Sequence, residues 1–283
     1  MPYDSCVDIL RFAEELITQT GRALKERRRQ GSVVYTDKED HRDIVTADDV
    51  WTQQVLTKAL HRRWPDHHII AEEGRHGAIG HGWTWVIDPI DGTTNYVNLG
   101  RDYAISMALF LDGVLVHGLV LDVETGVLFQ GSYRELAQMP VAGCAPAHSL
   151  LHISHRTIQR LRQEGADPLT LCDRFRGVRY LGCASLELCR LTHEPDGIYM
   201  SGRLKLWDFA AAACVLSEAG IPVLAVAEER DNYFVIAGRS KQGMQVCLDY
   251  IPLAARQAIY QGGGTHYASN PRAIQTVHHA YPG

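Results

Sequence analysis

The chain has 283 residues, of which 46% are hydrophobic and 22% are charged, as in an ordinary globular protein. The formal net charge of −5 argues against a nucleic-acid-binding protein, because such proteins normally carry a basic excess. No stretch approaches the roughly 20 apolar residues of a membrane span, and we expect neither a signal peptide nor a membrane partner. The seven cysteines are scattered without a Cys-x-x-Cys pair, which favours reduced thiols in a cytoplasm over disulfides or a zinc site.

The first part of the chain is predicted to contain two helices separated by a loop. Residues 7–29 carry apolar residues at helical spacing and predict an amphipathic helix. Residues 32–42 are polar and turn-rich and predict a loop. Thr46 or Asp48 is expected to cap the second helix, and Asp49 would complement its dipole.

A short apolar strand is predicted next, and it closes on Glu72, Glu73 and Gly74. A second, buried strand is predicted from Trp85 to Asp88, because Pro89 lacks a backbone donor and should stop it there. Taken alone, two glutamates at the end of a strand are more often a feature of the surface than of a site.

The turn after the buried strand carries the clearest chemical signal. Asp88 and Asp91 lie three positions apart beside Gly92. Acids at the end of a buried strand are costly unless a cation lies between them, and oxygen ligands on a rigid turn suit Mg²⁺. The amides of Gly92, Thr93 and Thr94, if they open a helix, would face an anion such as phosphate.

Strands at residues 103–111, 114–121 and 127–130 are predicted to follow, and Asp112-Gly113 is a strong hairpin turn between the first two. This antiparallel meander excludes a purely parallel sheet.

The second half is predicted to alternate helices and strands. An arginine-rich helix lies within residues 151–180, and another helix starts at Gly182. Asp208 heads an alanine-rich helix that stops at Gly220. Strands at 223–226 and 233–237 and a closing helix at 244–259 complete the prediction. We expect one unit over 1–283, with approximate halves 1–145 and 146–265 and a loose tail at 266–283.

The sequence Asp-Pro-Ile-Asp-Gly-Thr-Thr after an apolar strand resembles the signature of the inositol monophosphatase family, whose members are Mg²⁺-dependent, lithium-sensitive phosphatases. Three further acidic blocks resemble that family in the same order: Asp43–Asp49, the Glu72-Glu73 pair, and Trp207-Asp208 before the alanine run. The resemblance covers roughly residues 7–255. It implies an α+β fold with layers in the order α-β-α-β-α, mixed or antiparallel sheets, and a homodimer.

The resemblance also implies a ligand set. It places Glu72, Asp88 and the carbonyl of Ile90 around one Mg²⁺ and Asp88, Asp91 and Asp208 around a second, with a third, weaker ion near Glu72. Inhibition by Li⁺ is expected. Paired divalent ions lower the pKa of a bound water and stabilise the leaving oxygen of a phosphate ester.

Further roles follow from the same resemblance. Asp49 and Thr93 would orient the attacking water, with Glu72 as a further catalytic carboxylate. The remaining implied positions are phosphate-binding Gly92, Thr93 and Thr94, substrate-contacting Cys183, Ala184 and Ser201, and Lys38 in a loop near the metals. Members that hydrolyse inositol phosphates usually carry Glu at the position of Ser201. The short neutral hydroxyl of Ser201 cannot replace that longer, charged acceptor, which argues against myo-inositol 1-phosphate as the substrate.

The predicted function is a Mg²⁺-dependent phosphomonoesterase that acts on a small inositol-, sugar- or polyol-phosphate-like metabolite. Alternatives are a nucleotide 3′-phosphate or histidinol phosphate as substrate, or a non-catalytic regulatory protein that kept the fold. A haloacid-dehalogenase-type phosphatase is a further alternative, but it requires Asp-x-Asp rather than the Asp-x-x-Asp found at Asp88 and Asp91.

Overall fold

The computed structural model describes residues 6–31, 33–38, 44–74, 79–133, 144–194, 196–228 and 231–251. The predicted tail at 266–283 and the end of the predicted closing helix lie outside the described residues. So does Asp43, the first acid of the block that ends at Asp49. The division into one unit with two halves stays a prediction. None of the helices that the structure describes combines the length and the apolar character needed to cross a membrane.

The described residues up to Tyr133 form three helices and seven strands: α1 (Cys6–Gln30), β1 (Tyr35–Asp37), β2 (Ile44–Thr46), α2 (Ala47–Arg63), β3 (His68–Ala71), β4 (Trp83–Asp91), α3 (Thr93–Asn98), β5 (Ala104–Leu111), β6 (Val114–Asp122) and β7 (Leu128–Ser132).

The second half begins with a short 3₁₀ helix, Pro146–His148, and continues with β8 (Leu150–Ile153), α4 (His155–Gln163), α5 (Pro168–Asp173), β9 (Gly177–Arg179), α6 (Ala184–Arg190), β10 (Gly197–Leu204), α7 (Leu206–Glu218), β11 (Val223–Ala227), β12 (Tyr233–Gly238) and α8 (Lys241–Leu248).

The strands in the part of the chain that the structure describes form two five-stranded sheets and one small hairpin. The first sheet has the order β3-β4-β5-β6-β7, and the second has the order β11-β12-β10-β8-β9. In the first sheet only β3 and β4 run parallel, whereas in the second β8 runs parallel to both β10 and β9. Both sheets are therefore mixed, as predicted.

Alternating side chains make each sheet a partition between two cores. In β12, Val235 packs in a central core with α6 and α7, whereas Phe234 and Ile236 pack in an outer core with α4, α5 and α8. In β4, Val86 faces the same central core, whereas its neighbours in sequence face a third core, which contains α1 and α2. This period of two produces the layers α-β-α-β-α and confirms the predicted α+β fold.

The central helix α7 packs very closely on the first sheet. A Cβ added at Gly118 would lie 2.1 Å from the Ala211 carbonyl oxygen, and one at Gly131 would lie 2.8 Å from that of Cys214. Glycines on the sheet and an alanine-rich helix therefore bring the two backbones together. This contact fixes the start of α7, which carries Asp208.

Asp112 and Gly113 connect β5 and β6 as predicted. Their φ angles of 49° and 78° are both positive, as a two-residue type I′ hairpin turn requires.

Two predicted boundaries in the first half were wrong. Strand β4 does not stop at Asp88: Asp91 pairs with Ala104 after an irregularity in register, and Pro89 is accommodated within that irregularity. The predicted loop at 32–42 contains β1, which pairs antiparallel with β2.

The second half differs from prediction in its short strands and its last helix. Strand β8 overlaps residues 151–180, where a helix but no such strand was predicted, and α8 begins at Lys241 rather than at residue 244. It begins there because the Ser240 side chain caps the helix by accepting a hydrogen bond from the Gly243 amide at 3.0 Å. It ends at Leu248.

Candidate active site

The acidic turn at the end of β4 is buried in the structure. Asp88 is 2% exposed and Asp91 is 8% exposed. Gly92 follows with φ 83°, and a Cβ there would lie 3.0 Å from the Cβ of Cys183. Glycine at position 92 therefore serves two purposes, since it adopts a left-handed conformation and lets the turn before α6 approach closely.

Asp49 joins the first turn of α2 to this site. Its Oδ2 accepts hydrogen bonds from the backbone N–H of Thr46 at 2.8 Å and from the Thr46 hydroxyl at 2.5 Å. Its Oδ1 lies 3.2 Å from the Thr93 hydroxyl, which also lies 2.9 Å from the Ile90 carbonyl oxygen. The capping box that Asp49 forms with Thr46 and its approach to Thr93 are thus compatible, because each uses a different oxygen of the Asp49 carboxylate.

Glu72 lies at the end of β3, next to β4. The Lys38 ammonium donates to Glu72 at 2.9 Å and also pairs with Glu73. Burial lowers the pKa of Lys38, but the charges of the two glutamates and the hydrogen bonds to them together raise it above its ordinary value. Gln53 of α2 holds the segment by accepting from the Glu73 amide at 2.9 Å.

Asp91 is tied to the second half of the chain. It accepts hydrogen bonds from the backbone amides of Ala184 at 3.2 Å and Ser185 at 2.6 Å, at the start of α6. Cys183 precedes them and is 1% exposed. Burial, and then the charge of Asp91, raise the pKa of the Cys183 thiol, which describes an inert, buried side chain.

Asp208 enters the site from the first turn of α7. Its Oδ2 accepts a hydrogen bond from the backbone N–H of Lys205 at 2.7 Å, so that it also closes the start of its own helix. It therefore reaches the site from a different layer of the fold than Asp88 or Glu72.

The carboxyl groups of Glu72, Asp88, Asp91 and Asp208 lie close enough for their charges to affect one another. Burial is the main cause of the raised pKa of Asp88, and the charges of Glu72, Asp91, Asp208 and Asp49 add to it. The pKa of Asp208 is likewise raised by burial and then by Asp91 and Glu72. Burial raises the pKa of Asp49 to about 7.

The chemistry of these residues fits a hard divalent cation. They offer carboxylate oxygens with too little positive charge nearby, which is the donor set that Mg²⁺ prefers. In their present orientations, however, no three His, Cys, Asp or Glu side chains within the described ranges could hold a metal ion. Several of their oxygens accept hydrogen bonds from Lys38 and from backbone amides. Binding a cation therefore requires some of these carboxylates to turn away from their present partners.

The remaining predicted positions lie around this centre. Thr94 is exposed in the first turn of α3. Ser201 lies in β10 and is 5% exposed, with its hydroxyl 3.4 Å from that of Thr157. Ser201 is therefore packed against α4 rather than projecting freely.

Two buried polar residues that connect the site, Asn95 and Glu187, were not predicted from the sequence. Asn95 donates to the Leu181 carbonyl oxygen at 2.8 Å, and Glu187 accepts from the Leu181 amide. The carbonyl and the amide of Leu181 are thus both held. Leu181 lies shortly before Ala184 and Ser185, whose amides donate to Asp91. An acid between Leu186 and Leu188 in an apolar helix was the available signal, since buried carboxylates require partners.

Carboxylates at the end of β4 and at the start of α7 in a layered α-β-α-β-α fold define a protein with a candidate site for a hard divalent cation. The model of the inositol monophosphatase family matches residues 7–257. The chain belongs to the inositol monophosphatase family, whose members are phosphoric monoester hydrolases. The predicted family and enzyme class are thereby confirmed, and the match favours them over the haloacid-dehalogenase-type alternative.

Individual relatives agree with this placement. Inositol-1-monophosphatase of Bacillus subtilis is 29% identical over 257 residues, which cover 86% of this chain and 97% of that protein. SuhB of Neisseria meningitidis serogroup A, a candidate Nus factor, is 33% identical over 204 residues, covering 66% and 75%. Crystal structures of SaIMPase-II bound to inositol monophosphate and to 2′AMP superpose with TM-scores of 0.70 and 0.71 at 25% identity. They cover 89% of this chain and 98% and 97% of theirs.

Proposed function

We propose that this chain is a Mg²⁺-dependent phosphomonoesterase that hydrolyses a small phosphorylated metabolite with an activated water molecule. The observation that carries the proposal is the burial of Asp88 among the charges of Glu72, Asp91 and Asp208. Such crowding is unfavourable for folding. It is understandable at a site whose charge is neutralised by bound cations during function.

Each carboxylate has a role in this proposal. Glu72, Asp88 and the Ile90 carbonyl would hold one Mg²⁺, and Asp88, Asp91 and Asp208 would hold a second. A third ion near Glu72 and inhibition by Li⁺ belong to the same proposal. Bound divalent ions would lower the pKa of water and stabilise charge on the phosphoryl oxygens.

Asp49 and Thr93 would orient the attacking water. Thr93 Oγ1 lies 3.2 Å from Asp49 Oδ1, so that a water molecule held by both would have a defined position. The pKa of Asp49, raised by burial to about 7, suits a carboxylate that accepts a proton from water near neutral pH. No covalent aspartyl intermediate is required.

The start of α3 would bind the phosphate. The first N–H groups of a helix have no acceptor within it, and those of Gly92, Thr93 and Thr94 follow directly after Asp91. Cys183 and Ala184 would flank the alcohol portion of the substrate. Lys38, paired with Glu72 and Glu73, would hold the edge of the site that faces β1.

Phosphate release from a panel of metabolite monophosphates tests the proposal. We expect Mg²⁺-dependent release from at least one ester by the wild type, and none above background by Asp91→Asn. Asp66→Asn is the matched control, because Asp66 is an exposed acid in the turn that follows α2. The Asp66→Asn variant should retain wild-type turnover. Absence of Mg²⁺-dependent turnover on every ester would favour the non-catalytic alternative. The homodimer and the cytoplasmic location stay predictions.

A further inference from the structure

One edge of the second sheet collects the carboxyl-terminal ends of three strands and the residues that directly follow them. Strands β9, β8 and β10 are neighbours and run parallel, so their carboxyl ends meet at the same edge. Ligands of open α/β sheets bind outside such carboxyl ends. We call residues 154–156, 179–180 and 201–205 the basic edge, since they leave these strands at that edge.

The basic edge carries positive charge only. It contains Arg156, Arg179, Arg203 and Lys205 and no acidic residue. Arg156 and Arg203 are exposed. By comparison, Arg160 and Arg190 are held in ion pairs with Glu228 and Asp102; within the described residues, Arg156 and Arg203 have no such carboxylate partner. Two guanidinium groups are thus available to a ligand.

The basic edge adjoins the acidic centre. The pKa of Tyr180 is raised by burial and by the charges of Glu187 and Asp91, and Arg156 lowers it. Tyr180 directly precedes Leu181, whose carbonyl oxygen accepts a hydrogen bond from Asn95 of α3 at 2.8 Å, and Tyr180 itself is 58% exposed. At the other end of the edge, the Lys205 amide donates to Asp208. A phosphate ester at the acidic centre would place its alcohol portion toward these residues.

Ser201 leaves this edge without a negative charge. Its hydroxyl is turned to Thr157 at 3.4 Å, and both residues are buried. A neutral, buried serine neither repels an anion nor provides a charged acceptor for the hydroxyl groups of a polyol. The charge pattern therefore favours an anionic alcohol portion over an uncharged one.

We propose that the basic edge binds the alcohol portion of the substrate and selects phosphomonoesters whose alcohol portion carries a second phosphate. Arginine binds phosphate through paired, charge-assisted hydrogen bonds, and Arg156 and Arg203 supply them. This inference rests on the proposed phosphatase function, and it adds the class of substrate to it.

The experiment compares adenosine 2′-monophosphate with adenosine 2′,5′-bisphosphate, which differ only in the 5′-phosphate. Release of the 2′-phosphate by the full chain with Mg²⁺ gives kcat/KM for each. We expect the bisphosphate to be preferred by roughly tenfold or more, as one charge-assisted contact would provide. Arg156→Gln and Arg203→Gln should each reduce that ratio, and the double variant should bring it close to one. Arg162→Gln, at an exposed arginine farther along α4, is the matched control and should leave the ratio unchanged.

A ratio near one in the wild type, or a ratio that survives in the double variant, would overturn the inference and leave the phosphatase function intact. If neither nucleotide is hydrolysed, calorimetric binding of the same two compounds to the unreacting wild type decides. Tighter binding of the bisphosphate that is lost in the double variant supports the basic edge, whereas equal binding refutes it.

Discussion

The acidic centre and the basic edge are neighbours built in opposite ways. Asp88 and Asp91 are almost fully buried, and Asp91 is held by the backbone amides of Ala184 and Ser185 at the start of α6. Arg156 and Arg203 are exposed and unpaired within the described residues. The comparison teaches that substitutions at the acidic centre should change both stability and chemistry, whereas substitutions at the basic edge should change only which substrate is preferred.

The largest effects on activity and stability are expected when one buried acid of the acidic centre is neutralised. Asp88→Asn should lower kcat/KM at least about a hundredfold, because losing even a hydrogen-bond partner of a metal ligand costs about 10- to 100-fold. Without Mg²⁺ the same variant should be more stable than the wild type by ~1 kcal/mol, or roughly 2–4 °C in a chain of this size. The variant should be more stable because the substitution removes a buried charge that repels the neighbouring carboxylates.

Steady-state kinetics and thermal unfolding in EDTA measure the two effects of Asp88→Asn. Asp66→Asn, at an exposed position, should move neither. A variant that is both inactive and less stable in EDTA would show that Asp88 is a structural acid, and the proposed crowding would then be wrong.

Glu187 lies where the acidic centre meets the basic edge, because it holds the amide of Leu181 directly after Tyr180. Substitutions of Glu187 therefore test the connection between the two regions. Glu187→Ala removes the acceptor of the Leu181 amide and should lower kcat roughly tenfold, the effect of one lost buried hydrogen bond on the turn that holds Asp91. Glu187→Gln keeps an acceptor oxygen and should recover most of kcat. Kinetics of both variants, with Glu194→Ala as a control at a separate ion pair with His152, measure this. Equal losses in Ala and Gln would mean that charge rather than the hydrogen bond matters.

The smallest effect is expected at the helix cap beside the acidic centre. Thr46→Ala removes the N-cap of α2 and should cost about 1 kcal/mol of unfolding free energy. Ser240→Ala removes the cap of α8 and should cost a similar amount. Only Thr46→Ala should also reduce activity, because Thr46 orients Asp49. Urea unfolding and turnover separate the two, and equal activity would place Asp49 outside the reaction.

The sequence predicted the features whose signals are local. The Asp112-Gly113 hairpin, the cap at Thr46 and the strand before Asp88 depend on neighbouring residues, and the structure contains all three. Strand β8 was missed because its four residues are stabilised by their neighbours β10 and β9, which lie far along the chain.

The site was predictable only in part for the same reason. The acids are visible in a motif, but their partners are not. Asp91 meets Ser185 across 94 positions, and no spacing rule indicates such a contact. The basic edge has no motif either, because parallel strands bring its segments together. Sequence patterns therefore indicated the reactive groups, whereas the topology of the fold determined which residues surround them.

The proposed function depends above all on the claim that the buried carboxylates form a site for divalent cations. The raised pKa values of Asp49, Asp88 and Asp208 mean that the folded chain holds protons more tightly than the unfolded chain. Its stability without metal should therefore fall as the pH rises from about 4 through about 7.

Thermal unfolding at pH 8, with EDTA or with Mg²⁺ at about 100 times its dissociation constant, tests the claim most directly. Binding at that level contributes ~2.7 kcal/mol, so the account predicts a rise in Tm of roughly 5 °C or more, and a much smaller rise in Asp88→Asn. A wild-type Tm that is the same with and without Mg²⁺ would contradict it.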